Sequence, residues 1–132
     1  MTLFTKSIYL PRHLTDGLRV SIMSRHTLTD GKTPDLRITP DSYDAWFRGL
    51  AHPDTLVGAW YRGTLTWDVF TRRYLDSLLR PESKIALHSL LHLIHSYDLT
   101  LLCAEAQGEP CHRHLLAQRC QELEPRLEVV HI

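Results

Sequence analysis

A chain of 132 residues, with 43% apolar and 23% charged side chains, has the composition of an ordinary globular protein and enough length for one compact core. Fifteen Lys and Arg balance fifteen Asp and Glu, so no broad positive field attracts nucleic acid or anionic lipid. No apolar run approaches membrane-helix length, the first residues lack a secretion signal, and three cysteines suit a reducing compartment; the expectation is a cytoplasmic protein.

A short strand is expected around residues 6–10. Residues 18–23 alternate and are rich in apolar and β-branched side chains, the pattern of a strand. The polar stretch that follows, punctuated by Gly31 and Pro34, is long for a plain connection, and long loops in compact domains are often functional. Thr39 followed by Pro40 resembles an N-cap with proline at the first helical position, which predicts a helix to about Arg48. A short helical piece from His52 to Gly58 comes next. Thr66 then caps a helix to about Arg80, on which Trp67, Phe70, Thr71, Tyr74 and Leu78 form a core-facing stripe. Pro81 opens another helix, with Leu87, Leu90, Leu91 and Ile94 as its stripe. Residues 99–103 read as a buried strand, residues 110–123 as a helix that stops before Pro125, and residues 127–132 as a final strand. Helices between strands imply parallel pairing and right-handed crossovers. The expected architecture is one α/β domain over residues 1–132, a small three-layer sandwich whose mainly parallel sheet has about three to four strands flanked by helices.

Ligands in open α/β sheets bind beyond the carboxyl ends of the strands. One such end delivers Ser24, Arg25 and His26. The other delivers Cys103 and Glu105 and leads to a helix that opens with Pro110, Cys111, His112 and Arg113. If the two strands are neighbours, these groups share one crevice. At about 100° per residue His112 falls on the apolar face of its helix with Leu116 and Cys120, while Cys111 and Arg113 lie towards the edges as flanks of a pocket mouth.

Three chemistries fit. Cys111 at the positive end of a helix, beside His112 and Arg113, has reasons for a depressed pKa and a nucleophilic role. Arg25, Arg113 and free helix N–H groups suit a phosphate or carboxylate, with Glu105 orienting His112 or Arg113. Cys103, Cys111 and His112, with Glu105 or His26, are also possible metal ligands. Seven residues separate the thiols, however, where structural zinc sites commonly have two. Cys103 reads first as a small core residue and second as a disulfide partner of Cys111, and Cys120 as core. His88, His92 and His95 share one helix side, but Ser89 stands where a zinc-protease motif needs glutamate, so a solvated face is the better reading. No glycine-rich phosphate loop or nucleophile elbow is present.

Residues 23–31 (Met-Ser-Arg-His-Thr-Leu-Thr-Asp-Gly), the Trp67/Phe70/Tyr74 helix, and Leu101 to Glu105 running on to Cys111-His112-Arg113 together resemble the domain-of-unknown-function 488 family, in its branch with a Cys-His-Arg element. The resemblance spans nearly the whole chain. It implies a compact α/β fold in a prokaryotic cytoplasmic protein and supplies no established substrate. A second branch carries a Trp-Pro-Arg-Gly-like loop, often without the thiols; an arginine after the first strand persists in both, which favours Arg25. The functional expectation is an anionic small molecule, a nucleotide or phosphorylated metabolite, held by Arg25, His26, Glu105 and Arg113, with Cys111 and His112 as catalytic residues if the protein is an enzyme. No cofactor is required by the sequence. The alternatives are a redox-sensitive binding or regulatory module and a metal-binding protein.

Overall fold

A computed structural model describes residues 1–132 apart from the side chain of Val57. Five parallel strands form one sheet: β1 (Thr2–Ser7), β2 (Leu18–Ser21), β3 (Ala45–Trp46), β4 (Leu99–Cys103) and β5 (Glu128–His131). Their order across the sheet is β3-β2-β4-β1-β5. Four α-helices accompany them: α1 (Asp54–Tyr61), α2 (Trp67–Ser77), α3 (Pro81–Ile94) and α4 (His112–Leu123). The expected mainly parallel α/β architecture is therefore observed, with one or two more strands than the sequence suggested.

The right-handed crossover rule accounts for the layering. The connections β3-to-β4 through α1, α2 and α3, and β4-to-β5 through α4, run in the same direction across the sheet, so both fall on one face. There Leu3, Val20, Leu99 and Leu101 meet Phe70, Tyr74, Leu90, Ile94, Leu116 and Cys120 in the main core. Tyr74 is fully buried and its hydroxyl donates to the Leu50 carbonyl at 2.8 Å, so the one polar atom of this large side chain is satisfied.

The β1-to-β2 connection runs the opposite way and covers the other face with residues 8–17, which contain only a 3-10 turn at Leu14–Asp16. This thin third layer is ionic at its centre. The Asp16 carboxylate accepts from Lys6 Nζ on β1 at 3.1 Å and from Arg19 Nη1 on β2 at 2.8 Å, and all three residues are buried. Gly17 (φ 63°) closes the turn where a Cβ would stand 1.9 Å from the Asp98 carbonyl oxygen, so only glycine lets β2 enter the sheet here.

Two boundaries differ from the sequence reading for tertiary reasons. The helix expected over residues 39–48 is a single 3-10 turn, Pro40–Ser42, followed by β3. Thr39 and Pro40 do start a turn. The chain then leaves it because Asp44 is taken by Arg19 through both its backbone N–H and its carboxylate, and Ala45 and Trp46 pair with Val20 and Ser21. The first strand begins at Thr2, since pairing with both β4 and β5 extends it towards the amino end. Among the described residues no helix is long and apolar enough to cross a membrane.

Candidate functional site

β4 lies between β1 and β2 with all five of its residues buried. Its register places Ser21 opposite Leu102, so the ends of β2 and β4 open side by side. Above them is a cavity of about 620 Å³, walled by the loop after β2, by α1 and by residues 103–105. Its size falls in the usual range for small-ligand sites.

Glu105 joins the cavity to a thiol cluster on its floor. One carboxylate oxygen, Oε2, accepts from Cys103 Sγ at 3.0 Å and from Cys111 Sγ at 3.2 Å; the other accepts from the Tyr61 hydroxyl at 3.1 Å. His112 Nε2 donates to the Ile22 carbonyl at 2.8 Å, which turns Nδ1 towards the sulfurs, 3.6 Å from Cys103 and 3.7 Å from Cys111. Cys103, Cys111 and His112 are all buried. Cys103 reaches the large cavity, whereas Cys111 and His112 line a narrow cleft beside it, walled by Trp60, Trp67 and Phe70. His52, Tyr61 and Glu105 border both spaces.

The electrostatics separate the two thiols. Burial pushes the Cys103 thiol well up, and its neighbours Cys111 and Glu105 add to the effect. Burial acts on Cys111 too, but a hydrogen bond from Cys103 and the charge of His112 outweigh it and lower this thiol to about 6. His112 is raised: burial opposes its charge, and the Cys111 thiolate more than compensates. The two shifts move the Cys111 proton towards His112: as a thiol Cys111 donates to Glu105, and on ionisation it passes its proton to the imidazole and accepts from Cys103. Glu105 stays ionised, because the thiol hydrogen bonds and His112 outweigh its burial.

The remaining residues singled out in the sequence take varied positions. Arg25 lines the cavity, donating to Asp54 at 2.7 Å and to the Gly31 carbonyl at 3.1 Å. His26 turns the other way. It bonds Ser21 Oγ at 2.8 Å and stacks on Trp46 with centroids 3.7 Å apart, and burial together with Arg48 lowers it to about 4. Arg113 is fully buried instead of flanking a pocket mouth. Its Nη2 donates to the Ala106 carbonyl at 3.3 Å, while Nε and Nη1 have no hydrogen-bond partner. The turn after β4 brings the Ala106 carbonyl to this side chain, a tertiary contact that periodicity on the helix could not register. Cys120 lies in the apolar core, where burial pushes its thiol up to about 12. His88, His92 and His95 are exposed.

The sequence reading missed the contribution of α1 and its C-cap. His52, Asp54, Tyr61 and Arg62 all face the cavity. His52 packs against His112 with ring centroids 4.3 Å apart, and burial, reinforced by His112, lowers it to about 3. Arg37 also borders the cavity, paired with Asp35 and stacked over Tyr9. Arg62 is the one lining guanidinium that makes no ion pair among the described residues. The only available signal was the cluster Trp60-Tyr61-Arg62-Gly63 at a helix end, which reads equally well as an exposed terminus.

Fold and site together define a parallel α/β domain with a ligand-sized cavity at the strand carboxyl ends and a thiol–imidazole–carboxylate cluster beneath it. The chain belongs to the DUF488 family: the model for DUF488-N3a, described as the active DUF488-N3 subclade, matches residues 3–123. No curated protein and no solved structure matches it.

Proposed function

We propose that this protein binds an anionic small molecule, a nucleotide or phosphorylated metabolite, in the cavity at the strand ends, with Cys111 and His112 as its reactive pair. The observation that carries the reading is Arg62, a cavity-lining guanidinium with no ion pair among the described residues. The bare backbone at Gly58 gives it room, since a Cβ there would stand 3.1 Å from Arg62 Nη1. Arg25 is the second anion ligand. Its pair with Asp54 has both side chains more than half exposed, and such pairs contribute only about 0–1 kcal/mol, so exchanging Asp54 for a phosphate costs little. Arginine also matches phosphate oxygens with two parallel hydrogen bonds.

In this reading His26 holds the loop in place through Ser21 and Trp46, and buried Arg113, bonded to the Ala106 carbonyl, adds positive potential. Glu105 aligns the thiols. The setting proposed is the prokaryotic cytoplasm, in keeping with the family and with three free thiols.

Arg62→Ala is expected to weaken binding of inorganic phosphate or a nucleoside phosphate by roughly tenfold or more, the scale of one lost charge-assisted hydrogen bond, with an unchanged melting temperature. Calorimetric titration of both proteins checks this. A panel of phosphates, nucleotides and sugar phosphates that neither binds nor shifts the melting temperature of the wild type rules out the reading.

One observation favours a second reading, a redox-sensitive module: two thiols share one carboxylate oxygen. Mild oxidation with diamide is then expected to remove both thiols in one step as an intramolecular disulfide, and Cys103→Ser to abolish it. Oxidation that yields only mixed or intermolecular products speaks against it.

A further inference from the structure

We infer that Cys103, Cys111, His112 and Glu105 form a binding site for a zinc-class divalent ion, and that occupancy of this site takes Cys111 out of nucleophilic use. The inference is independent of anion binding and concerns the floor of the cavity, not its arginines.

The donor geometry carries it. The ligand atoms of Cys103, Cys111 and His112 all lie within 4.8 Å of one another. A tetrahedral ion with Zn–S of about 2.3 Å and Zn–N of about 2.0–2.1 Å requires S···N separations of roughly 3.5 Å. The two observed separations, 3.6 and 3.7 Å, already have that value. Glu105 Oε2, at 3.0 and 3.2 Å from the sulfurs, becomes the fourth donor by retreating a few tenths of an ångström, which one carboxylate torsion supplies.

The surroundings support the assignment. Metal-bound histidines commonly donate their other ring N–H to a carbonyl or carboxylate, and His112 Nε2 does so to Ile22. Tyr61 fixes the second oxygen of Glu105 in the same manner. Two thiolates and an imidazole select a borderline-soft ion over magnesium or calcium. An ion can reach the donors from the large cavity, because Cys103 and Glu105 line it. The seven-residue separation of the thiols is bridged by residues 104–110, which return the chain from the end of β4 to the start of α4.

Proton balance follows from the donors. In the metal-free cluster Cys103 holds one proton, and Cys111 with His112 holds another. Binding M²⁺ forms two metal–sulfur bonds, one metal–nitrogen bond and one metal–oxygen bond and releases roughly two protons to solvent, with no change of oxidation state. Both sulfur lone pairs are then engaged, which removes the free thiolate.

The test is a titration of the full chain, stripped of metal by a chelator, with Co²⁺ in phosphate-free buffer and then with Zn²⁺. The expected result is one Co²⁺ per chain with sulfur-to-cobalt charge transfer and the visible bands of a tetrahedral site, displaced by Zn²⁺, with both Cys103 and Cys111 protected from alkylation. Glu105→Gln should weaken Co²⁺ binding at least tenfold, in line with losses seen even for outer-shell partners, and Cys120→Ala should leave it intact. The wild-type spectrum decides the matter even where Cys111→Ser fails to fold. Absence of cobalt–thiolate absorbance, or its full retention in Cys103→Ala, overturns the inference. Phosphate binding measured on the same metal-free protein stands or fails separately.

Discussion

Asp16→Ala is expected to destabilise the protein by about 3–5 kcal/mol, because it leaves two buried cations without their counter-charge. Lys6 is 3% and Arg19 1% exposed, and both point from neighbouring regions of the sheet into the layer formed by residues 8–17. The Asp16 carboxylate accepts from both of them and from the backbone N–H of His13 at 3.0 Å. Its backbone carbonyl accepts from Thr100 at 2.7 Å, so the turn is tied to the central strand as well. Lys6 retains the Pro11 carbonyl and Arg19 the carbonyls of Ser42, Ile8 and Leu10, which satisfy donors without supplying charge. Urea unfolding of Asp16→Ala against wild type measures the effect. A loss below about 1 kcal/mol, the range of surface pairs, contradicts a buried network.

The sign of the pH effect follows from the same carboxylate. Burial raises the Asp16 pKa, but the His13 N–H, Arg19 and Lys6 outweigh it and the net shift is downward. A depressed carboxyl contributes its stability fully above the unfolded-state pKa of about 3.9, and loses it as pH falls through the lower folded value. Unfolding in acid is therefore expected below about pH 4, and Asp16→Ala should show a smaller acid dependence.

The second large effect concerns Cys111. Ultraviolet titration of the wild type is expected to show one thiolate forming with a midpoint at about 6. His112→Ala should move that midpoint up towards the ordinary cysteine value of about 8.5, or beyond it, because the burial of Cys111 is then unopposed by imidazolium charge. Below the midpoint Cys111 is protonated and any thiolate chemistry falls away; above it the nucleophile is present. Cys111→Ser should erase the transition, whereas Cys120→Ala should preserve it, since that thiol is buried in the core. A midpoint that stays put in His112→Ala contradicts a role for the imidazole and assigns the lowering of Cys111 to the hydrogen bond from Cys103.

Much of this organisation was legible along the chain, for reasons that differ by element. Leu99 to Cys103 is apolar throughout because a central parallel strand is covered on both faces, so β4 was read with its observed bounds. Thr66 before Trp67, and Pro81 after Arg80, are local signals, and α2 and α3 start where they predict. By contrast, Thr39-Pro40 gave the same kind of signal and produced one turn, because Asp44 and β3 were captured by β2. Local capping fixes where a helix can begin; competing tertiary partners fix how far it runs.

The site divides in the same way. Cys103, Glu105, Cys111 and His112 lie within ten residues of one another on one strand–loop–helix unit, so their meeting is a consequence of local geometry and could be anticipated. Tyr61 ends α1, with Arg62 as its C-cap and His52 just before the helix; all three are far away in sequence, and local spacing does not tie them to the thiols. His26 and Arg113 were legible as residue types but not as orientations. One turn of backbone carries His26 onto Trp46 while its neighbour Arg25 faces the cavity. The tertiary fold buries Arg113 beside the Ala106 carbonyl.

Periodicity, capping and short-range spacing are local properties, so the α/β class, the parallel pairing and a thiol–imidazole–carboxylate unit between a strand and a helix could be read along the chain. The strand order, the ionic layer around Asp16, the inward position of Arg113 and the contribution of α1 to the cavity emerge from long-range packing. Those depend on the handedness of crossovers and on which distant groups compete for a given hydrogen bond or charge, and neither is written in the spacing of residues along the chain.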